Sequence, residues 1–464
     1  MKRHIRYVHV VLGAIFLSIL TFSSATAQTF TNLHNFAYRT DGSQPAGGVA
    51  LSGDVLYGAA EYAGSSNAGT LFKLNTDGSA FTNFYNFTNG TDGSNPDGTL
   101  LLSGNSLYGT TYYGGASTNG TIFRINLDGT GFTNIYSFTP INNSTNRDGA
   151  NPYAGLILSG ATLYGTTVNG GYFGSGTVFA VGTNGLNFTN LHSFTAMNNY
   201  TNSDGANPYG TPVLAGNMLY GVAYGGGLYG CGVLFGVGVT GGNTFTNLHT
   251  FNGGDGTGPF GGLILLSNML YGTTYSGGGR NSGTVFAVDT NGVTLTTLHY
   301  FDGNDGSFLY PRLALVGNTL YGTASSGGVW TNGVVYSINT AGSGFMNVYS
   351  FSAHDPITFD NTDGFNPYGE LVVTNNTLYG TAYYGGTNDD GTIFSITLPP
   401  QLHIALSGTN AILSWTMGVS GYQPQYATNL LLPATWNTIP YSGTQNIVTN
   451  PITKINLFFR LMHP

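Results

Sequence analysis

Most of the chemistry this sequence can offer lies in loop aromatics and one crowd of aspartates. Tyr113, Tyr172, Tyr224, Tyr229, Tyr275, Trp330 and Tyr384 stand beside Asn, Asp, Thr and Gly. Aromatic faces next to amide and hydroxyl groups suit stacking on sugar rings, and they equally suit packing at the base of a loop. Asp355, Asp360, Asp363, Asp389 and Asp390, with Glu370, occupy one stretch with no Lys or Arg among them. Such oxygen-rich clusters suit Ca²⁺, though the spacing matches no EF-hand loop and solvated loop acids are the plainer reading. No other cofactor is implied. A hydrolase or lyase needs a convergent acid and base. Beyond aspartates the chain has only Glu61 and Glu370, and no residue is assigned a catalytic role.

The elements that carry these residues are repeats. Leu-Tyr-Gly starts at Leu56, Leu107, Leu163, Leu219, Leu270, Leu320 and Leu378. A Gly-x-aliphatic-aromatic segment opens at Gly69, Gly120, Gly176, Gly232, Gly283, Gly333 and Gly391. Segments of the Phe-Thr-Asn-Leu-His-x-Phe type end at Phe36, Phe87, Phe138, Phe194, Phe251, Phe301 and Phe351. Each is followed by an Asp-Gly turn, with a proline four residues after the aspartate in six copies and six after it in one. Self-similarity at about 50 residues is the signature of a repeat architecture.

Each unit reads as four short strands of β-branched and aromatic residues, bounded by Gly, Asn and Asp turns. Strand one is expected from the proline to Leu-Ser-Gly. Strand two carries Leu-Tyr-Gly-Thr-Thr, strand three Gly-Thr-Val-Phe and strand four Phe-Thr-Asn-Leu-His; no segment has helical periodicity. Seven such units predict an all-β, seven-bladed β-propeller. The chain opens with a strand-four segment at Phe30 and its seventh Gly-Thr-Ile-Phe lacks one. The N-terminal strand is therefore expected to pair with the last blade and close the ring.

Residues repeated in all seven units are read as structural. That covers the Asp-Gly aspartates and the set His34, His192, His249 and His299, which alternates with Tyr85, Tyr136 and Tyr349 at equivalent places. Cys231, the single cysteine, sits where sister units carry Ala68, Asn119, Ser175, Ser282, Asn332 and Asp390. It reads as a small residue before a strand. The string Gly225 to Gly230 satisfies G-x-G-x-x-G but lies between strands with no following helix, so it is no nucleotide fingerprint.

Only 6% of the 464 residues are charged, 73 are glycine and 41% are hydrophobic, which excludes a disordered chain. Residues 1–27 read as a signal peptide: Lys2, Arg3 and Arg6 precede an apolar run from Val10 to Phe22 and an Ala25-Thr26-Ala27 cleavage site. Removing those three cations takes the formal charge from -8 to -11. With no basic stripe, nucleic-acid binding is not expected. A secreted, cell-surface or periplasmic location is expected, without a transmembrane anchor, and as a monomer.

The units Asn151-Pro152-Tyr153-Ala154-Gly155-Leu156, Leu163-Tyr164-Gly165-Thr166-Thr167 and Gly176-Thr177-Val178-Phe179 resemble those of the GloVer tandem-repeat family of exported bacterial proteins. The likeness extends over roughly residues 29–398. The double glycines, as in Gly114-Gly115 and Gly385-Gly386, are similar to kelch blades, whose later paired aromatics are not clearly present. The resemblance implies location and architecture; it supplies no catalytic residue.

Three domains follow: residues 1–27 as leader, 28–398 as propeller, and 401–464 as a small β-sandwich-like module. The last has alternation at Leu402, Ile404 and Leu406 and at Ala411, Leu413 and Trp415, and resembles a trimmed fibronectin type III-like sandwich. From strand-four end to Asp-Gly aspartate the links vary from 4 to 12 residues, while the opposite rim has only short hairpins. Binding is expected on the variable rim, since loops on a rigid scaffold usually carry it. The expected function is an exported, non-catalytic scaffold for a glycan or surface protein. The alternative is a carbohydrate-active hydrolase or lyase on the same propeller.

Overall fold

The computed structural model describes residues 28–399 apart from 241, 243, 359 and 375, together with 5–11, 19–22, 402–407, 410–415, 423–427, 436–440, 447–451 and 456–462. Seven four-stranded antiparallel sheets form the blades of a β-propeller. Blade one consists of Ala50–Ser52, Val55–Ala60, Thr70–Asn75 and Thr82–Asn86, and the next five repeat that meander. Blade seven joins Val372–Thr374, Thr377–Ala382 and Thr392–Thr397 to the N-terminal strand Thr29–Asn35, the closure the repeat phase calls for. One helical turn, Tyr38–Asp41, follows that strand.

Glycine of Leu-Tyr-Gly is explained by an aromatic ring. A Cβ at Gly109, Gly221 or Gly272 would lie 2.5 Å from the Cζ of Phe123, Phe235 or Phe286, so only glycine admits the strand-three phenylalanine across the sheet. Each of those aromatics meets, edge-on, the phenylalanine that ends strand four of the preceding blade. The pairs are Phe87–Phe123, Phe138–Phe179, Phe194–Phe235, Phe251–Phe286, Phe301–Tyr336 and Phe351–Phe394, with centroids 5.0–5.5 Å apart. Phe36–Phe72, at 5.2 Å, makes the same contact between the N-terminal strand and blade one. Edge-to-face pairs add about 0.5–1.5 kcal/mol each beyond their buried area.

The repeated proline also belongs to the joint between blades. Its ring lies against the glycine that opens strand three of the preceding blade, as Pro96 does on Gly69 and Pro45 on Gly391. In the sixth unit, where the proline is displaced, Leu309 fills that place on Gly283. The residue before it has positive φ in every unit: Gln44, Asn95, Asn151, Asn207, Gly258, Phe308 and Asn366. Asn and Gly adopt that region most readily. Their N–H groups donate across the joint to the carbonyls of Asp390, Ala68, Asn119, Ser175, Cys231, Ser282 and Asn332. Cys231 thus holds a structural place in the repeat.

Strand one is shorter than the sequence reading, at three residues per blade. After the proline the backbones of adjacent blades run too close for a paired strand: a Cβ on Gly47 would meet the carbonyl oxygen of Asp97 at 2.8 Å. Hydroxyls stitch this inner layer instead, Thr323 to the Pro367 carbonyl and Thr381 to that of Gly47, each at 3.0 Å.

The Asp-Gly aspartates are hubs. In every unit the carboxylate accepts the backbone N–H just beyond strand four, at 2.7–3.1 Å. It also accepts the strand-four ring donor, at 2.6–3.2 Å: His34, His192, His249 or His299 Nε2–H, or the hydroxyl of Tyr85, Tyr136 or Tyr349. The alternation of His and Tyr is therefore an exchange of donors to one acceptor. Burial pushes Asp204 and Asp255 up, but the bonds from His192 and Thr195, and from His249 and Asn252, outweigh it and hold both below the usual range. Their stabilisation is complete above the unfolded aspartate value of about 3.9 and is lost as pH falls through the lower folded values.

The C-terminal module has two sheets. Leu402–Ser407, Asn410–Trp415 and Ile447–Pro451 form one; Gln423–Ala427, Asn437–Thr438 and Asn456–Met462 belong to the other. Ala411, Leu413, Ile439 and Phe459 make its core. In the full chain Ile5–Val11 and Ile19–Phe22 pair as a hairpin, and Val8–Val11 continue the second sheet along Asn456–Phe459. Cleavage after Ala27 would remove that hairpin. No described helix is long and apolar enough to cross a membrane.

Two predictions follow from the joints. Deleting residues 29–36 is expected to lower stability in denaturant melts by several kcal/mol, on the order of one per backbone hydrogen bond lost; an unchanged midpoint would refute closure. The Tyr336 hydroxyl is fully buried without a hydrogen-bond partner among the described residues. Tyr336→Phe should therefore stabilise the fold by about 1–3 kcal/mol, read as a higher midpoint.

Candidate functional site

The close approach of backbones after each proline puts one side chain per blade at the mouth of the central channel. In chain order these are Ala46, Asp97, Tyr153, Tyr209, Phe260, Tyr310 and Tyr368, all lining one small cavity that opens to solvent. A second tier comes from the end of strand two: Glu61, Tyr112, Val168, Tyr224, Tyr275, Ser325 and Tyr383. Their N–H groups bond to the positive-φ residues of the interblade links, which fixes this tier beside the first. Bridges such as Ser43 with Tyr62 and Ser94 with Tyr113 tie the links to the two-to-three loops, so both loop sets share this face.

The rings form a nearly continuous chain. Tyr112 meets Tyr153 at 6.3 Å, Tyr153 meets Tyr209 at 5.3 Å, and Tyr209 stacks on Phe260 at 4.5 Å. Phe260 meets Tyr310 at 5.1 Å, Tyr310 meets Tyr368 at 4.4 Å, and Tyr368 meets Tyr383 at 4.9 Å. Between Tyr383 and Tyr112 the ring is interrupted, and Glu61 and Asp97 occupy the gap. The Tyr383 hydroxyl donates to Glu61 Oε2 at 2.8 Å. Burial raises Glu61 above its usual value, against hydrogen bonds from Tyr62, Tyr383, Asp97 and Asn95 that oppose the rise. Asp97, only 6% exposed, is raised well above its usual value by burial first, then by the Glu61 charge beside it and the hydrogen bond the two share. The Oδ1 of Asp97 is buried with no hydrogen-bond partner among the described residues. Deeper in the channel Glu370 faces Arg312, whose charge opposes the rise that burial causes.

The sequence-selected aromatics divide. Tyr224 and Tyr275 join the mouth, each in contact with its rings. Tyr113 and Tyr384 stand edge-on to Tyr112 and Tyr383 at 4.6 and 4.7 Å. Tyr172, Tyr229 and Trp330 are 55–58% exposed at loop tips toward the outer strands; the Tyr172 N–H reaches Ser193 on strand four.

The carboxylates of the acidic crowd are mostly engaged in separate turns, though Asp389 feels the charge of Asp360, and Asp390 that of Asp389. Asp363 is the hub aspartate of blade seven, Asp355 accepts the N–H groups of Ile357 and Thr358, Asp389 that of Gly385, and Asp390 that of Tyr38. The Asp360 carbonyl accepts the Asp355 N–H. Among the described residues no three His, Cys, Asp or Glu side chains come together in a way that could hold a metal ion. Glu370 lies in the channel, apart from that rim.

Asp97 and the pairing with Glu61 escaped the sequence reading, although a signal existed. Each is the sole acid in a column of seven equivalent positions otherwise aromatic, aliphatic or small.

The sequence profile of the Gloeobacter/Verrucomicrobia repeat matches residues 18–203 and 194–358. No curated protein matches this sequence. Solved structures similar to the chain include an oligogalacturonate lyase in complex with manganese, 12% identical at TM-score 0.50, covering 86% of this chain and 99% of that one. An oligogalacturonate lyase from Vibrio parahaemolyticus is 10% identical at TM-score 0.49, covering 85% and 97%. The nidogen/laminin complex is 16% identical at TM-score 0.39, covering 60% and 89%. Such identities speak for the fold alone.

The raised carboxyls set a pH signature. A folded value above the unfolded one stabilises the fold below the unfolded value, about 4, and that contribution is lost as pH rises through the folded value. Asp97→Asn removes that loss. It is expected to be more stable than the parent, by a margin that widens from pH 5 to pH 8 in thermal melts; a constant margin would count against a buried, raised Asp97.

Proposed function

The chain belongs to the Gloeobacter/Verrucomicrobia repeat family, and from that premise we propose that this propeller is an exported binding scaffold whose channel mouth holds a carbohydrate. The observation that carries the reading is the chain of seven rings from Tyr112 to Tyr383, five of which, Tyr153, Tyr209, Phe260, Tyr310 and Tyr368, line the cavity. Half-buried rings offer apolar faces to the C–H side of a sugar, while hydroxyl and amide groups meet its alcohols. The leader at residues 1–27 supports export, and the exposed tips Tyr172, Tyr229 and Trp330 suit a surface-protein contact at the outer rim.

A hydrolase or lyase is the second reading, favoured by the facing carboxyls of Glu61 and Asp97, since paired acids with separated proton affinities are what acid–base chemistry uses. A glycan array run beside a polysaccharide-degradation screen separates the two. Binding without turnover is expected, weakened about tenfold (~1.4 kcal/mol) by Tyr224→Ala or Tyr275→Ala. Turnover abolished by Glu61→Gln would favour the enzyme, and silence in both assays would defeat the carbohydrate reading.

A further inference from the structure

We infer that the gap in the aromatic ring, where Glu61 and Asp97 stand, is a receptor for an ammonium group on the ligand, so that the saccharide taken at the mouth is an amine-bearing one. The inference rests on the carbohydrate reading of this mouth and narrows it.

The two acids have no cationic partner. The ion pairs among the described residues are the four His–Asp hubs, and none involves Glu61 or Asp97. Donors in the wall are distributed unevenly: Tyr383, Tyr62 and Asn95 all serve Glu61, while Asp97 has only the hydrogen bond it shares with Glu61. Asp97 is left with Oδ1 buried, unpartnered and at the cavity lining. A buried carboxyl oxygen in that state is destabilising, and a ligand donor would recover the loss.

The chemistry of the missing donor is constrained by what surrounds it. A metal ion lacks a third carboxylate, imidazole or thiolate among the described residues. A neutral hydroxyl supplies one hydrogen and no charge, whereas an ammonium carries three N–H donors and the opposite charge. Tyr112 and Tyr153 flank the gap on one side and Tyr383 on the other. Aromatic neighbours of this kind favour a cation over a neutral group. The gap is also specific in the sequence: the equivalent positions are Ala, Tyr or Phe in the first tier, and Tyr, Val or Ser in the second.

Calorimetric titration of the protein with hexamers of glucosamine, N-acetylglucosamine and glucose tests this, with Asp97→Asn and Glu61→Gln alongside and a thermal melt to establish that each variant folds. The glucosamine hexamer should bind at least tenfold tighter than the other two. Asp97→Asn should abolish that preference, bringing the glucosamine hexamer to the affinity of the other two. Equal affinity for all three, or a preference indifferent to both substitutions, would overturn the ammonium inference and leave the carbohydrate reading standing. If no hexamer binds, the carbohydrate reading falls, and hexane-1,6-diammonium against hexane-1,6-diol decides the rest. Saturable binding of the diammonium alone, lost in Asp97→Asn, would sustain the ammonium site; no binding of either would overturn it too.

Discussion

A blade of this protein cannot bury its own faces. Its strand-three aromatic is covered by the strand-four phenylalanine of the blade before it, and its opening glycine by the proline of the blade after. The contact between neighbours is thus the element on which the rest depends, and it must be made seven times for none to be left exposed. Six contacts join consecutive units. The seventh joins blade seven to blade one: Phe36, at the end of the N-terminal strand that completes blade seven, meets Phe72, and Pro45 meets Gly391 from the far end of the array. A fold built this way makes stability a property of the ring, since an open joint would leave both aromatic surface and strand edge in water.

The same joint creates the site. Because the backbones after each proline come together too closely for ordinary strand pairing, one side chain per blade is turned toward the axis at nearly the same height. Repetition then multiplies whatever residue stands there. Five aromatic positions make a ring, and a change in one or two blades makes a local feature within it. Glu61 and Asp97 are such a feature: they come from adjacent blades, Asp97 in the first tier and Glu61 in the second, and meet only because the blades are packed together. Low charge elsewhere matters too. In a chain with 11 Lys and Arg, a buried carboxyl pair finds no incidental counter-ion, so its field is directed at the cavity.

The aspartate hubs show how far repetition separates architecture from chemistry. A histidine paired with an aspartate at 2.7–2.9 Å would suggest catalysis in an unrepeated protein. Here a tyrosine performs the same donation in three of seven units. What the position requires is an N–H or O–H aimed at one carboxylate, with a flat ring beneath it to pack on the next blade, as His34 does on Phe81. Such pairs strengthen the sheet edge and account for the acid sensitivity of Asp204 and Asp255.

Blade number, strand identity, the circular closure and the rim that carries the variable links were legible in the sequence, because each depends on local turn chemistry and on repetition, which recur along the chain in order. Strand one was drawn too long, since its limit is set by the neighbouring backbone at Gly47 and Gly98 rather than by its own residues. Tyr224 and Tyr275 were picked out as loop aromatics, but their membership of one ring with Tyr209, Phe260 and Tyr310 depends on a radial geometry that linear spacing does not express. The acidic crowd of the last unit was one-dimensional: in space its carboxylates are spent on separate turns. Conversely, Glu61 and Asp97 lie 36 positions apart in different units. Only the packing of blade one against blade two, which takes both carboxyls out of water and sets them together, made them a site.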